Sequence, residues 1–146
     1  MSLLIDKNDK IRIDFVYLKV GYKLICGIEK EDIKNFLKTE FPDKYKEIYK
    51  EDEIKKEWFE FKVPTFEDTI LMSSNIILSK NIKSEPNLET NIMVSRYQKV
   101  LHLLKDWSFA DDEGNKLKIN EDTINRLNPY IAHIIGTTIE NYVTDW

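Results

Sequence analysis

Apolar and polar positions alternate from the start of the chain. Over residues 11–17, IRIDFVY, Ile11, Ile13, Phe15 and Tyr17 fall on one side and Arg12 and Asp14 on the other. That two-residue period predicts a strand with one buried face. The run YKLICGI at 22–28 is rich in strand-favouring residues, and Gly21 lies between the two runs where a turn is needed. A hairpin over about 10–28 follows. EWFEFKV at 57–63 alternates again, which predicts a third strand with Phe59, Phe61 and Val63 facing inward.

Between these strands the period changes. Ile33, Phe36 and Leu37, then Tyr45, Ile48 and Tyr49, recur at helical spacing in a charge-rich background, with Pro42 interrupting. Two surface helices with solvated outer faces are expected there. After Pro64, Thr65 and Asp68 have the spacing of a capping box. A helix starts there, with Ile70, Leu71, Ser74, Ile77 and Leu78 as its buried stripe. Residues 81–88, NIKSEPNL, show no period and read as a linker. Met93, Tyr97, Val100, Leu101 and Leu104 predict a helix over Glu89–Asp106 whose stripe Trp107 closes. A last helix starts at the N-cap Asn128 with Pro129 in its first turn, and Ile131, Ile134, Ile135, Ile139 and Tyr142 form its apolar face.

The expected fold class is α+β, with a small antiparallel sheet in the N-terminal half and a helical C-terminal half. The 146 residues fit a single domain, 1–146, and a sub-division into an α+β part, 1–80, and a helical part, 89–146, joined by 81–88, is left open.

Composition narrows the function classes. Residues that are 42% hydrophobic and 33% charged argue against global disorder. The net charge of −4, with both signs interspersed, leaves no electrostatic footprint for nucleic acid. The single cysteine, Cys26, sits in an apolar run and reads as a packed thiol; with two histidines it is too little for a Cys/His zinc site. No apolar run reaches the roughly 20 residues of a membrane helix, and the start MSLLIDKNDK lacks the basic flank of a secretion signal. A cytoplasmic protein without a membrane or nucleic-acid partner is expected.

One stretch, DWSFADDEGNKLKIN, invites a metal or acid–base reading. A calcium loop of the EF-hand kind requires alternating oxygen ligands before its glycine and a glutamate six residues after it. Here Phe109 takes the first ligand position and Asn120 the last. Asp111, Asp112 and Glu113 read instead as an exposed turn, with Gly114 supplying a positive φ. The chain has no G-x-S-x-G, P-loop or G-x-G-x-x-G, and Cys26 has no histidine near it in sequence. His102 lies beside the apolar stripe of its helix, where a boundary role with one satisfied nitrogen is expected. No catalytic residue, cofactor or metal is expected. The stretch reads as a helix–helix connector pinned by Trp107, Phe109, Leu117, Ile119 and Leu127, with Asn120 or Thr123 starting a short helix.

This connector resembles the C-terminal part of the tail assembly chaperones of tailed bacteriophages and prophages. The matching residues are Trp107, Asp112, Gly114, Leu117, Ile119, Asn120, Glu121, Ile124, Leu127, Pro129, Ile131 and Ile135. FKVPTFEDTI looks like a strand-then-helix step of small phage tail proteins, so the resemblance spans about residues 57–140. It implies a non-catalytic protein in the cytoplasm of a bacterial host that binds phage tail proteins, the tape measure protein or the tail tube, during virion morphogenesis. A structural virion component of a tail, baseplate or neck is the second reading, and it would place the protein in the virion. An enzyme whose site is built from residues distant in sequence is a distant third.

A binding protein without catalytic chemistry works through apolar surface. The last helix carries more apolar residues than one stripe requires, and the chain ends in an aromatic, against the usual polar terminus. Ile135, Ile139, Tyr142 and Trp146 are therefore the candidate partner-binding residues, with docking of Tyr142 and Trp146 onto the protein's own core as the equal alternative. Homo-oligomerisation is left open.

Overall fold

The computed structural model describes residues 3–6, 8–71 and 88–143. Its elements run β1 (Lys10–Val20), β2 (Lys23–Gly27), α1 (Lys30–Glu40), α2 (Tyr45–Ile48), a 3-10 turn (Glu51–Glu53), β3 (Lys55–Lys62), α3 (66–71), α4 (Leu88–Leu103), β4 (Leu104–Trp107), α5 (Glu121–Asn125) and α6 (Pro129–Val143). The four strands form one antiparallel sheet in the order β2-β1-β3-β4. The class is α+β as expected: three strands come from the N-terminal half, and the fourth is a short edge strand from the helical half.

Helices cover both faces of this sheet. On one face Phe15, Phe59, Phe61, Leu104 and Trp107 pack with Val100 and Leu103 of α4 and with Ile131, Ile135 and Ile139 of α6. This core takes residues from both sides of the 81–88 stretch, which apart from Leu88 lies outside the described residues. On the other face a smaller core joins Val16 and Leu18 of β1 to Ile33 and Leu37 of α1, with Tyr45, Ile48 and Tyr49 packed against it. β1 is therefore buried on both faces towards its C-terminal end, whereas the alternation at 11–17 implied one buried face.

The hairpin turns on Gly21, whose φ of +64° suits a residue without Cβ. Gly27 is needed for a different reason. A Cβ there would stand 2.7 Å from Asp32 Cβ, at the place where the Asp32 carboxylate accepts from the N–H groups of Ile28 and Glu29 and caps α1. Gly27→Ala should therefore shift the first turn of α1 and cost about 1–3 kcal/mol in urea unfolding. A variant as stable as the parent would show that α1 is not held by that close approach.

The helix expected over Glu89–Asp106 stops three residues early. α4 passes directly into β4, where Trp107 pairs with Phe59, Asp106 with Glu60 and Leu104 with Phe61. The register shifts between Glu60 and Phe61, so Lys105 has no opposing residue. This bulge lets Leu104 and Trp107, three residues apart, both face the core. Their spacing is also that of a helical stripe, which is why periodicity extended the helix. Ser108 continues the ladder: its N–H donates to the Trp58 carbonyl at 3.0 Å, and its Oγ accepts from Trp58 N–H and donates to Glu57 at 2.5 Å.

The connector is pinned as its residues suggested. Trp107 is fully buried, stacks on Phe109 at 4.8 Å between ring centroids, and donates from its indole N–H to the Leu117 carbonyl at 2.7 Å. Gly114 has φ +85°, and Asp111 Oδ1 accepts from the N–H groups of Glu113 and Asn115 to close the acidic turn. Asn120 caps α5 by accepting from Thr123 N–H, and Asn128 Oδ1 accepts from Tyr130 N–H at the start of α6.

Candidate binding groove at the sheet edge

Among the described residues β2 is an outer strand: it pairs with β1 alone. A groove of about 460 Å³ runs beside it. Its lining includes Val20, Ile25, Phe36 and Phe41 from the α1 side of the sheet, and Leu24, Cys26, Tyr130 and Ile134 from the α6 side. A single space bounded by both faces must run along the outer edge of β2, where a further strand would lie. Lys23, Glu40 and His133 are its polar ionisable members, and the remaining lining is apolar, thiol or hydroxyl. Phe36, Phe41 and Tyr130 are half-exposed along it, and Tyr22 and Ile28, 100% and 55% exposed, flank the two ends of β2.

The local sequence accounts for this exposure. Ile33 and Leu37 of α1 point into the smaller core, and Phe36, which shares their spacing, is left at the side of the stripe facing the groove. In α6 the period from Ile131 through Ile135 to Ile139 is buried, which sets Tyr130, Ile134 and Thr137 on the groove side. Cys26 also lines the groove, and its burial pushes the thiol up to about 11, so it behaves as a packed apolar group.

Of the partner-binding residues expected from sequence, Ile135 and Ile139 lie in the core. α6 does contribute to an apolar surface, but Ile135 and Ile139 face the other way. Both are fully buried against the sheet and α4, so they supply the protein's own core and offer no surface to a partner. Tyr142 is 47% exposed and lays its ring edge-on against Phe61 at 5.2 Å, which is docking onto the core. Trp146 lies outside the described residues, as do Ser74, Ile77 and Leu78 of the stripe expected after Thr65. The described members of that stripe, Ile70 and Leu71, are half-exposed and not buried. The sequence pattern does not mark Phe36, Phe41 and Tyr130 as a surface. The signal available was an aromatic beside an already complete apolar stripe.

A polar cluster surrounds Asp68, away from the residues that line the groove. Asp68 accepts from Thr65 N–H and Thr65 Oγ1 at 2.9 Å each, from Lys62 Nζ at 3.0 Å and from His102 at 2.9 Å. An ionised carboxylate only accepts, so His102 Nε2 carries the proton in this contact. Burial by itself would raise the Asp68 carboxyl. The Thr65 backbone, Lys62, His102 and the Thr65 hydroxyl together outweigh it and hold the group well below the usual carboxylate range. The capping box at Thr65 and Asp68 is thus present, and its carboxylate also ties β3 and α4 to the start of α3. His102 has the boundary role expected of it.

Other ionisable groups show the same structural use. Arg96 clasps Glu140 at 2.6 Å between α4 and α6. Lys99 is buried on α4, and burial lowers its pKa. Hydrogen bonding to Lys116 holds Asp106 below its usual value. Among the described residues no group of three His, Cys, Asp or Glu side chains is placed to hold a metal ion, and no helix is long and apolar enough to cross a membrane.

Comparison with protein-family models, with curated proteins and with solved structures yields no match to this chain.

Proposed function

We propose that this chain is a non-catalytic, chaperone-like protein of phage tail assembly that covers an apolar segment of a tail or tape measure component until that component is built in. The groove beyond β2 carries the proposal. It combines an unpaired strand edge, able to hydrogen-bond any extended segment, with aromatic walls on both sides. The likeness of residues 57–140 to tail assembly chaperones supplies the biological setting. The titratable clusters support a binding role, because each of them joins elements of the fold: Asp68 links three, and Arg96 and Glu140 link two.

Phe36→Asp and Tyr130→Asp introduce charge into the walls at half-exposed positions. Each should weaken binding of the cognate tape measure or tail tube protein at least about tenfold by calorimetry, which corresponds to about 1.4 kcal/mol, with the melting temperature unchanged. Unchanged affinity in both variants would remove the groove from the function. Mass spectrometry of purified particles separates the two structural roles. A chaperone is absent from mature particles, whereas fixed copy numbers would make the chain a virion component that uses the same edge permanently.

A further inference from the structure

An exposed strand edge flanked by apolar side chains is an aggregation hazard unless something covers it. We propose that a second copy of this chain covers it: two molecules pair β2 against β2, antiparallel, about a twofold axis at Ile25 normal to the sheet. The sequence of the edge is self-complementary in that register. Ile25 meets Ile25, Leu24 faces Cys26, and Lys23 faces Gly27, so the one charged residue of the strand meets no like charge. Tyr22 of each copy falls opposite Ile28 of the other, bringing together the two exposed apolar residues that flank the strand. Moving the axis one residue either way leaves Ile28 or Tyr22 beyond the end of the pair, and centring it on Lys23 sets two ammonium groups against each other.

The same axis places α1 beside its copy on one face and α6 beside its copy on the other. Phe36 and Phe41 are then covered on one side and Tyr130 on the other. At their observed exposures, Tyr22, Ile28, Phe36, Phe41 and Tyr130 offer on the order of 500 Å² per molecule, taking about 200 Å² for a full aromatic side chain. With the strand backbone added, this reaches the lower end of the roughly 800 Å² per partner of a specific interface. The dimer is therefore a reversible one, and a client would displace the second copy from the edge; that last step alone rests on the proposed function.

Sedimentation equilibrium of the purified chain tests the pairing. The expected result is a concentration-dependent dimer that Tyr22→Lys or Ile28→Glu alone weakens at least about tenfold. The variant carrying both substitutions should recover most of that loss, because opposite charges then face each other across the axis. Both positions are exposed, so all three variants should melt with the parent at concentrations where the parent is monomeric. A monomer at every concentration overturns the proposal, as does a dimer indifferent to these substitutions. A monomer that takes up a short extended apolar peptide would hand the edge to a client strand instead. No tail protein is present in this experiment, so its failure leaves the client reading standing, and failure of client binding leaves the dimer standing.

Discussion

Trp107→Ala should lower the unfolding free energy by about 4 kcal/mol in urea, within the range for fully buried tryptophans. The ring is 0% exposed, sits at the junction of β4, β3 and the connector, and stacks on Phe109. Its loss opens a cavity at the edge of the main core, and the connector loses the indole that holds the Leu117 carbonyl. Trp107→Phe separates the two contributions. It keeps most of the packing and leaves the carbonyl without its donor, for a cost of about 1–3 kcal/mol. Domains of this size are stable by about 5–15 kcal/mol, so the alanine variant should still fold at low temperature. A cost below about 1 kcal/mol would mean that the ring is not the anchor its burial makes it.

The second large effect is expected at Asp68. Asp68→Asn keeps the shape but removes the charge that faces Lys62 and His102, and it sets amide hydrogens against donors on one side, Thr65 or Lys62 and His102. Removing one member of a buried ion pair costs about 3–5 kcal/mol, and this variant should fall at the lower end because Lys62 keeps partial access to water. The pH dependence has a definite sign. The folded-state pKa lies below the unfolded value of about 3.9, so the stabilisation is complete above that value. It is lost as pH falls through the depressed folded-state pKa. Urea midpoints of parent and variant measured from pH 5 down to pH 2 should therefore converge as the pH drops below about 4. A gap that stays constant over this range would show that the Asp68 carboxyl titrates alike in the folded and unfolded protein, so that its contacts do not favour the ionised form.

Features fixed by local sequence and features fixed by distant contacts separate along a physical line. The hairpin, the capping box at Thr65 and Asp68, the turn at Gly114 and the caps at Asn120 and Asn128 stand where the sequence placed them, and β3 does so except that it ends at Lys62, before the Val63 that the alternation set inward. Each depends on residues within about four positions of one another: a two-residue side-chain period, a side chain reaching its own helix's free N–H groups, or a φ that glycine adopts without strain.

The features that local signals could not fix are those settled by residues far away in the chain. Whether 104–107 continues α4 or leaves it depends on β3 offering Phe59 and Phe61 as strand partners, and a bulge gives Leu104 and Trp107 the same one-sided spacing as a helix. The partner surface likewise follows from packing. α6 carries two apolar flanks, and the sequence marks both without ranking them. The sheet takes Ile131, Ile135 and Ile139, and so leaves Tyr130 and Ile134 for the groove. The sequence by itself determined the class of fold, most element starts and the absence of recognisable catalytic motifs. Tertiary structure alone decided where α4 ends, that β1 is buried on both faces and that the outer edge of β2, unpaired among the described residues, lies between two aromatic walls. Hydrophobic burial is non-directional, so an apolar residue specifies that it will be covered, and only the assembled chain specifies by what.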